Sequence, residues 1–268
     1  MIIDSHQHVM LPPEKQVKLM EQAGLDKVIL FFTTPHPEKA RNYAEFEEEM
    51  TRLYQILGGK NSNKDNILRM KKGNEELLRS IKAYPDKFYG FGGLPLGLTL
   101  EENKSWIQND ILGNGLKGVG EFTLAQEEQM RGLEQIFQAL EDFPSLPIWI
   151  HTFYPVTENG LKILMELTRK YPTVPVIFGH SGGYHWQMLL EFAKTCPNAY
   201  IDLSATFSTL AAKMLIAELP ERCFYSSDAP YGDPELSRMM IEHMSPSQEI
   251  ANQVLGLNIA RLLQLTDK

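Results

Sequence analysis

The chain has 268 residues, of which 43% are hydrophobic and 22% are charged, and its formal net charge is −8. This length is close to the roughly 250 residues of a (β/α)8 barrel and is ample to bury a core, which excludes an intrinsically disordered chain. The acidic balance argues against nucleic acid and anionic membrane surfaces as partners, because both attract basic patches.

Several features bear on the cellular compartment. No apolar run is long enough to span a bilayer, and the first residues lack the basic and apolar regions of a secretory signal. Cys196 and Cys223 are the two cysteines, too few for a disulfide framework or a cysteine-based metal site. We therefore expect a protein of the reducing cytoplasm that does not contact membranes.

Eight short apolar runs, separated by helical patterns, predict eight β-strands. The later runs recur at the spacing of βαβ units. The predicted strands are Ile2–Ser5, Lys27–Phe32, Phe88–Leu94, Leu116–Glu121, Pro147–His151, Pro175–Gly179, Ala199–Leu203 and Cys223–Ser227.

Helical patterns between these runs include Lys15–Ala23, Gln126–Phe143 and about Ser247–Leu265. Strands that alternate with helices predict a parallel sheet covered by helices, either closed into a barrel or open and doubly wound. The count of eight favours the barrel, and so does the lack of a Gly-rich dinucleotide fingerprint after the first strand. We predict an α/β fold, a (β/α)8 TIM barrel that forms one domain over residues 1–268.

One connection is longer than the others. Residues 33–87 separate strands two and three and contain helical patterns at Glu38–Leu57 and Asn74–Tyr84. Between them, residues 58–64 are rich in Gly, Asn and Lys and predict a mobile loop. The insertion begins on the C-terminal face of the barrel, where active sites lie. It could be a lid that shapes the substrate site, or a surface excursion used in dimer contacts.

The first strand carries Asp4-Ser5-His6-Gln7-His8. Alternate residues of a strand point to the same face, so His6 and His8 lie about 6–7 Å apart on one side. Two imidazoles at this spacing can share a metal ion.

Other polar residues stand where later strands end. Glu121 ends strand four, His151 ends strand five, and His180 and Asp228 follow strands six and eight. A single histidine in such a place is more often a hydrogen-bonded core residue, but in a barrel all these ends converge on one mouth. Histidines and an aspartate from several strands suit zinc or another divalent ion and leave an open, catalytic coordination position.

These motifs carry a family resemblance. The segment around His6 and His8, His151, Gly179–Gly183 and Ser227–Pro230 resemble motifs of the amidohydrolase superfamily, in particular its amidohydrolase-2 branch. That branch includes metal-dependent hydrolases and aminocarboxymuconate-semialdehyde decarboxylase-like enzymes. The resemblance implies that the metal ligands are His6, His8, His151 and Asp228. It also implies that His180 is the catalytic acid/base or carbonyl polariser.

Glu121 leaves the number of metal ions open. Some members of the superfamily bridge two metals with a carboxylate from strand four, and others bind one metal and lack that ligand. Glu121 could bridge a second ion, orient a ligand, or form an ion pair inside the barrel. We expect one or two divalent ions, with zinc as the first expectation and manganese or another ion as the alternative.

The implied chemistry is that of a metal-dependent hydrolase. Asp228 would bind the metal and take the proton of a metal-activated water, and His180 would stabilise the developing oxyanion. Such a site would cleave an amide, lactone or ester bond of a small organic molecule. The alternative is a non-oxidative decarboxylase of a small carboxylated, aromatic substrate. Two further classes are a metal-dependent deoxyribonuclease, which the acidic charge counts against, and a non-enzymatic metal-binding or scaffold protein.

Aromatic residues after strands five, six and eight are candidates for substrate binding, although loop aromatics more commonly pack against one another. The candidates are Tyr154, Tyr184, Trp186 and Tyr231. The predicted partner is therefore a small molecule. A homodimer is a further expectation, because dimers are common in the resembled branch.

Overall fold

The computed structural model describes residues 1–57 and 63–265. Eight parallel strands lie in one sheet in the order β1 to β8, each paired with the next along the chain, which confirms the predicted (β/α)8 barrel. The strands are Ile3–His8 (β1), Lys27–Phe31 (β2), Phe88–Gly92 (β3), Gly118–Phe122 (β4), Ile148–His151 (β5), Val176–Gly179 (β6), Ala199–Asp202 (β7) and Cys223–Phe224 (β8).

Backbone hydrogen bonds join the segment after β8 to β1 and close the ring. Ser5 N donates to Tyr225 O at 3.0 Å, and Asp228 N donates to His6 O at 2.8 Å. His8 N donates to Ala229 O at 2.7 Å. This closure holds Asp228 beside the two histidines of β1.

Helices cover the outside of the barrel. The helices are Pro13–Ala23 (α1), Tyr43–Leu57 (α2), Asn63–Ala83 (α3), Leu100–Trp106 (α4), Glu127–Gly132 (α5), Glu134–Leu140 (α6), Glu158–Lys170 (α7), Trp186–Thr195 (α8), Thr209–Glu218 (α9), Pro234–Met244 (α10), Gln248–Asn252 (α11) and Asn258–Leu262 (α12). Helix α4 continues as a π-helical turn over Ile107–Ile111, and a similar turn over Gln253–Leu257 joins α11 to α12.

The barrel interior is a packed core below the mouth. Large side chains from alternate strands fill it, and the rings of Phe31, Phe91 and Trp149 lie with centroids 5.0–5.6 Å apart. Interdigitated layers of this kind leave no channel through a TIM barrel. Polar groups therefore gather at one end, where the strands stop.

Within the ranges that the structure describes, no helix combines the length and the hydropathy needed to cross a bilayer.

The insertion after β2 forms a short 3-10 turn at Pro37–Lys39 and then α2 and α3. The predicted start of the second helix at Asn74 is wrong, because α3 already begins at Asn63. Gly73 does not interrupt α3. It lies against the ring of Phe32, and a Cβ at this position would come within 2.3 Å of that ring. In the predicted mobile loop, residues 58–62 lie outside the described residues.

Two polar contacts tie the insertion to itself and to the barrel. His36 contacts Glu38 through Nδ1 and Glu76 of α3 through Nε2, both at 3.1 Å. The Asn74 amide exchanges two hydrogen bonds with the backbone of Gly93, which follows β3, at 2.7 and 2.9 Å. These contacts hold α3 against the start of the insertion, through His36, and against the segment after β3, through Gly93.

The close contact at Gly73 generates a stability prediction. Alanine is the better helix former, so Gly73→Ala would stabilise an isolated helix by about 1 kcal/mol. Here the new methyl group overlaps Phe32, and we expect a net loss of about 1–3 kcal/mol in the free energy of unfolding. Urea denaturation followed by circular dichroism measures this free energy. Gly132→Ala is the matched control, since Gly132 ends α5 and a Cβ added there would meet no atom within 4 Å; a Gly73→Ala protein as stable as this control would contradict the packing.

Candidate metal centre

The six side chains predicted at strand ends converge on the C-terminal mouth of the barrel. They divide into two groups of possible metal ligands that share Glu121 as their common neighbour. The first group is His6, His8 and Asp228, and the second is Glu121, His151 and His180.

The first group faces a common point. Asp228 Oδ1 lies 3.7 Å from His6 Nε2 and 3.2 Å from His8 Nε2. Glu121 Oε2 lies 3.8 Å and 3.7 Å from the same two nitrogens. Atoms that bind one ion at about 2.1 Å each are separated by about 3.0–3.5 Å in octahedral or tetrahedral geometry, so these separations are close to those of a shared ion.

His6 provides the clearest test of whether a cation fits. Its Nε2 is buried and has no hydrogen-bond partner among the described residues, although a buried polar atom normally has one. The atoms nearest to it on Glu121 and Asp228 are too distant for hydrogen bonds. A divalent cation between the three residues would satisfy this nitrogen, so the donor set fits a metal site.

The second group is held by hydrogen bonds to the other carboxylate oxygen. Glu121 Oε1 lies 3.2 Å from His151 Nδ1 and 3.1 Å from His180 Nε2. The second nitrogen of His151 lies 3.0 Å from the Tyr154 carbonyl oxygen. His151 therefore contacts Glu121 and the backbone here, and its role as a ligand beside His6 and His8 stays a prediction.

The electrostatics of the centre favour a cation. Burial lowers the pKa of His6, but the charges of Glu121, Asp202 and Asp228 outweigh burial and raise it to about 10. The pKa of the Glu121 carboxyl, which burial alone would raise, is instead held well below its usual range by its histidine neighbours. His6 thus holds a proton when no other cation is present, and a divalent metal would replace it.

Asp202, at the end of β7, orients His6. Its Oδ2 lies 2.9 Å from His6 Nδ1, and its Oδ1 accepts a hydrogen bond of 2.6 Å from the backbone N–H of Ser204. Ser204 Oγ in turn contacts His180 Nδ1 at 2.9 Å. Asp202 is not among the site residues predicted from the sequence, although its position at a strand end is the same signal that identified the others.

Asp4 supports the centre from below. The side chain is buried, and its carboxylate accepts hydrogen bonds from the Gln7 side chain at 2.7 Å and from Ser227 N at 3.0 Å. Burial raises the pKa of Asp4 to about 6. Because Ser227 precedes Asp228, this contact helps to position the Asp228 carboxylate.

A cavity of about 190 Å³ opens above the centre. Its polar side is formed by residues of the two groups, and its remaining wall is largely apolar. The insertion contributes Leu53 and Ile56 from α2 and Asn66, Arg69 and Met70 from α3. Other apolar wall residues are Phe32, Leu94, Leu96, Phe122 and Leu124.

Of the four aromatic residues predicted to bind substrate, Tyr231 lines this cavity, and its ring lies 5.7 Å from that of His8. Tyr154 and Tyr184 are largely exposed, at 74% and 67%. Tyr184 packs between the rings of Phe153 and Phe207. These two residues and Trp186 are not among the described cavity-lining residues, and their role in substrate binding stays a prediction.

The contact between Asp202 and His6 can be tested directly. In Asp202→Asn the charge that orients the imidazole is lost, and we expect the affinity for Mn²⁺ or Zn²⁺ to fall about 10–100-fold. Isothermal titration of metal-depleted protein measures this affinity. Asp86→Asn, on the exposed turn before β3, should bind metal like the wild type; equal affinity in both variants would show that Asp202 does not position His6.

Glu121 lies between the two groups of possible ligands, and this position predicts the effect of removing its carboxylate. We expect Glu121→Ala to lose one metal ion per chain relative to the wild type, because both groups lose a common carboxylate. Elemental analysis of proteins equilibrated with Mn²⁺ gives the count, and circular dichroism confirms the fold. Glu128→Ala, on the exposed side of α5, provides the control. An unchanged metal content in Glu121→Ala would confine this carboxylate to hydrogen bonding.

Known proteins of similar structure share this architecture. A search of curated protein sequences gave no match. Among solved structures, the chain is similar to 2,6-dihydroxybenzoate decarboxylase from Rhizobium, with 16% identity, a TM-score of 0.72 and 98% of each chain covered. It is also similar to a dihydroxybenzoic acid decarboxylase from Polaromonas with bound manganese and an inhibitor, with 16% identity, a TM-score of 0.67 and coverage of 100% and 98%.

A third similar structure is described as an amidohydrolase II, with 17% identity, a TM-score of 0.67 and coverage of 98% and 100%. At these identities the likenesses establish the fold. The amidohydrolase family model matches residues 3–265, nearly the whole chain. The chain therefore belongs to the amidohydrolase-2 family.

Proposed function

We propose that this protein is a divalent-metal-dependent, non-oxidative decarboxylase of a small aromatic carboxylic acid. The observation that carries the proposal is a mainly apolar cavity built directly over a cluster of histidines and carboxylates suited to a cation. Such a cavity suits a flat, apolar body whose polar group meets the centre. Two of the similar structures, which act as decarboxylases by name, add support.

The residues of the first group would hold the cation, with Glu121 beside them. When bound, a divalent cation would draw electron density from substrate oxygen atoms and neutralise their charge. Manganese is as suitable as zinc here, because imidazole and carboxylate ligands serve both ions.

Substrate orientation would come from the cavity wall. Tyr231, beside His8, and Phe32, directly after β2, offer aromatic surfaces for a ring. Aromatic contacts favour offset or edge-on arrangements, which limit the orientations that a flat substrate can take.

His180 is the proposed proton donor. Ser204 holds its Nδ1, so that its Nε2 faces Glu121 at the cavity. Burial lowers the pKa of His180, but Glu121 and the neighbouring carboxylates raise it overall. In the reaction, the bond between the ring carbon and the carboxylate breaks and its electron pair stays on the ring carbon. That carbon takes the proton from Nε2, carbon dioxide leaves, and His180 regains a proton from solvent.

Hydrolysis is the second candidate, and the position of Asp228 favours it. The carboxylate lies beside His8, lines the cavity and could accept a proton from an attacking water. The same centre could thus serve an ester, lactone or amide, as first expected from the sequence.

A substrate panel separates the two candidates. Manganese-loaded protein is incubated with hydroxylated benzoates and hydroxylated benzenedicarboxylates, and separately with aryl esters, lactones and anilides. We expect carbon dioxide release from at least one acid, with deuterium incorporated at the vacated ring carbon in D₂O. Hydrolysis of the neutral substrates without carbon dioxide release from any acid would reject the decarboxylase.

His180→Asn tests the assigned donor in the same assay. Loss of a positioned acid costs about 10²–10⁴-fold in rate, and we expect a loss in this range with the metal content retained. His243→Asn, on the exposed side of α10, is the matched control. A His180→Asn variant as active as this control would remove His180 from the proposed mechanism.

A further inference from the structure

Arg69 of α3 stands in the wall of the same cavity as the metal centre. It lines this cavity together with Asn66 and Met70, which lie on the same face of the helix. The guanidinium carbon lies 5.6 Å from the centroid of the Phe32 ring, within the range of a cation–π contact. The contact with Phe32 places a positive charge in a cavity wall that is largely apolar.

The hydrogen bonding of Arg69 is incomplete. Its Nε is buried and has no hydrogen-bond partner in the described part of the chain. Arg222 and Arg238, by contrast, donate to backbone carbonyl oxygens, and Arg238 also pairs with Glu242. A buried guanidinium without full hydrogen bonding is costly, and burial accordingly lowers the pKa of Arg69. A residue that served only the fold would be expected to have this donor satisfied.

A guanidinium is suited to a carboxylate, because two parallel N–H donors match the two carboxylate oxygens. We propose that Arg69 binds a carboxylate of the substrate within this cavity. The metal centre would hold one end of the substrate, and Arg69 would hold an anionic group at the wall formed by α3.

The charge change in the reaction indicates which carboxylate Arg69 binds. This part of the inference rests on the proposed decarboxylation. The leaving carboxylate loses its negative charge as carbon dioxide forms. A guanidinium paired with it would stabilise the starting state more than the transition state and would slow the reaction. Arg69 therefore binds a second carboxylate that the substrate keeps, which makes the substrate class an aromatic dicarboxylic acid.

Equilibrium binding tests this assignment without turnover. Isophthalate and 3-carbamoylbenzoate have nearly the same shape, but the second compound has one neutral amide in place of a carboxylate. For manganese-loaded wild-type protein we expect isophthalate to bind at least about 10-fold more tightly by isothermal titration. In Arg69→Met this ratio should fall to near one, and Arg69→Lys should retain part of it, because the charge stays and the paired donors are lost.

The ratio of the two affinities is decisive, because a distorted cavity would weaken the binding of isophthalate and of 3-carbamoylbenzoate equally. Arg79→Met, on the exposed side of the same helix, should keep the wild-type ratio. A wild type without preference for isophthalate, or an Arg69→Met variant with an unchanged ratio, would overturn the proposal. A ratio that depends on Arg69, with no carbon dioxide released from any acid in the panel, would uphold the carboxylate site and reject the decarboxylase.

Discussion

The two-sided contact of the Glu121 carboxylate is the interaction on which the metal centre depends. One oxygen contacts His151 and His180, and the other faces His6 and His8 across 3.7–3.8 Å. A buried carboxylate is stable only when paired or hydrogen-bonded. His6 and His180, whose pKa values the carboxylates raise, supply that pairing while they carry protons, and a divalent cation would supply it when they do not. The charge of Glu121 thus couples the two groups of ligands.

The barrel delivers these groups to one place at some cost to its backbone. His180 and Asp228 have φ values of +62° and +59°, a left-handed conformation that costs a non-glycine residue roughly 1–2 kcal/mol. Residues are held in such conformations when their surroundings over-determine them, often at functional sites. Here the surroundings are identifiable: the backbone bond from Asp228 N to His6 O and the Asp4–Ser227 contact hold one residue, and Ser204 holds the other.

The sequence allowed the barrel and the polar mouth to be predicted because both follow from period and topology. Parallel strands place their C-terminal ends together, so His6, His151 and Asp228 could be grouped before any contact was known. Arg69 could not be found in this way, for a local reason. The helical pattern predicts a start at Asn74, directly after Gly73, and this leaves Arg69 in a connecting segment, whereas Gly73 in fact lets α3 approach Phe32. Tyr154 and Tyr184 are candidates for substrate binding because of their positions after strands, but both side chains are largely exposed. The direction of a loop side chain depends on tertiary packing, which a short sequence pattern does not contain.

The insertion and the barrel divide the tasks of the proposed enzyme. The proposed ligands to the cation come from strands and strand ends, whose positions are set by the sheet, while α3 contributes the wall that would recognise the substrate. Asn74 joins the two parts through its hydrogen bonds to Gly93, and His36 holds the insertion together through Glu38 and Glu76. Burial lowers the pKa of His36, but the two carboxylates raise it to about 9, so this contact within the insertion keeps its charge at neutral pH and weakens only as pH rises toward that value. Residues such as Arg69 can therefore vary, and with them the substrate, without disturbing the geometry of the metal ligands.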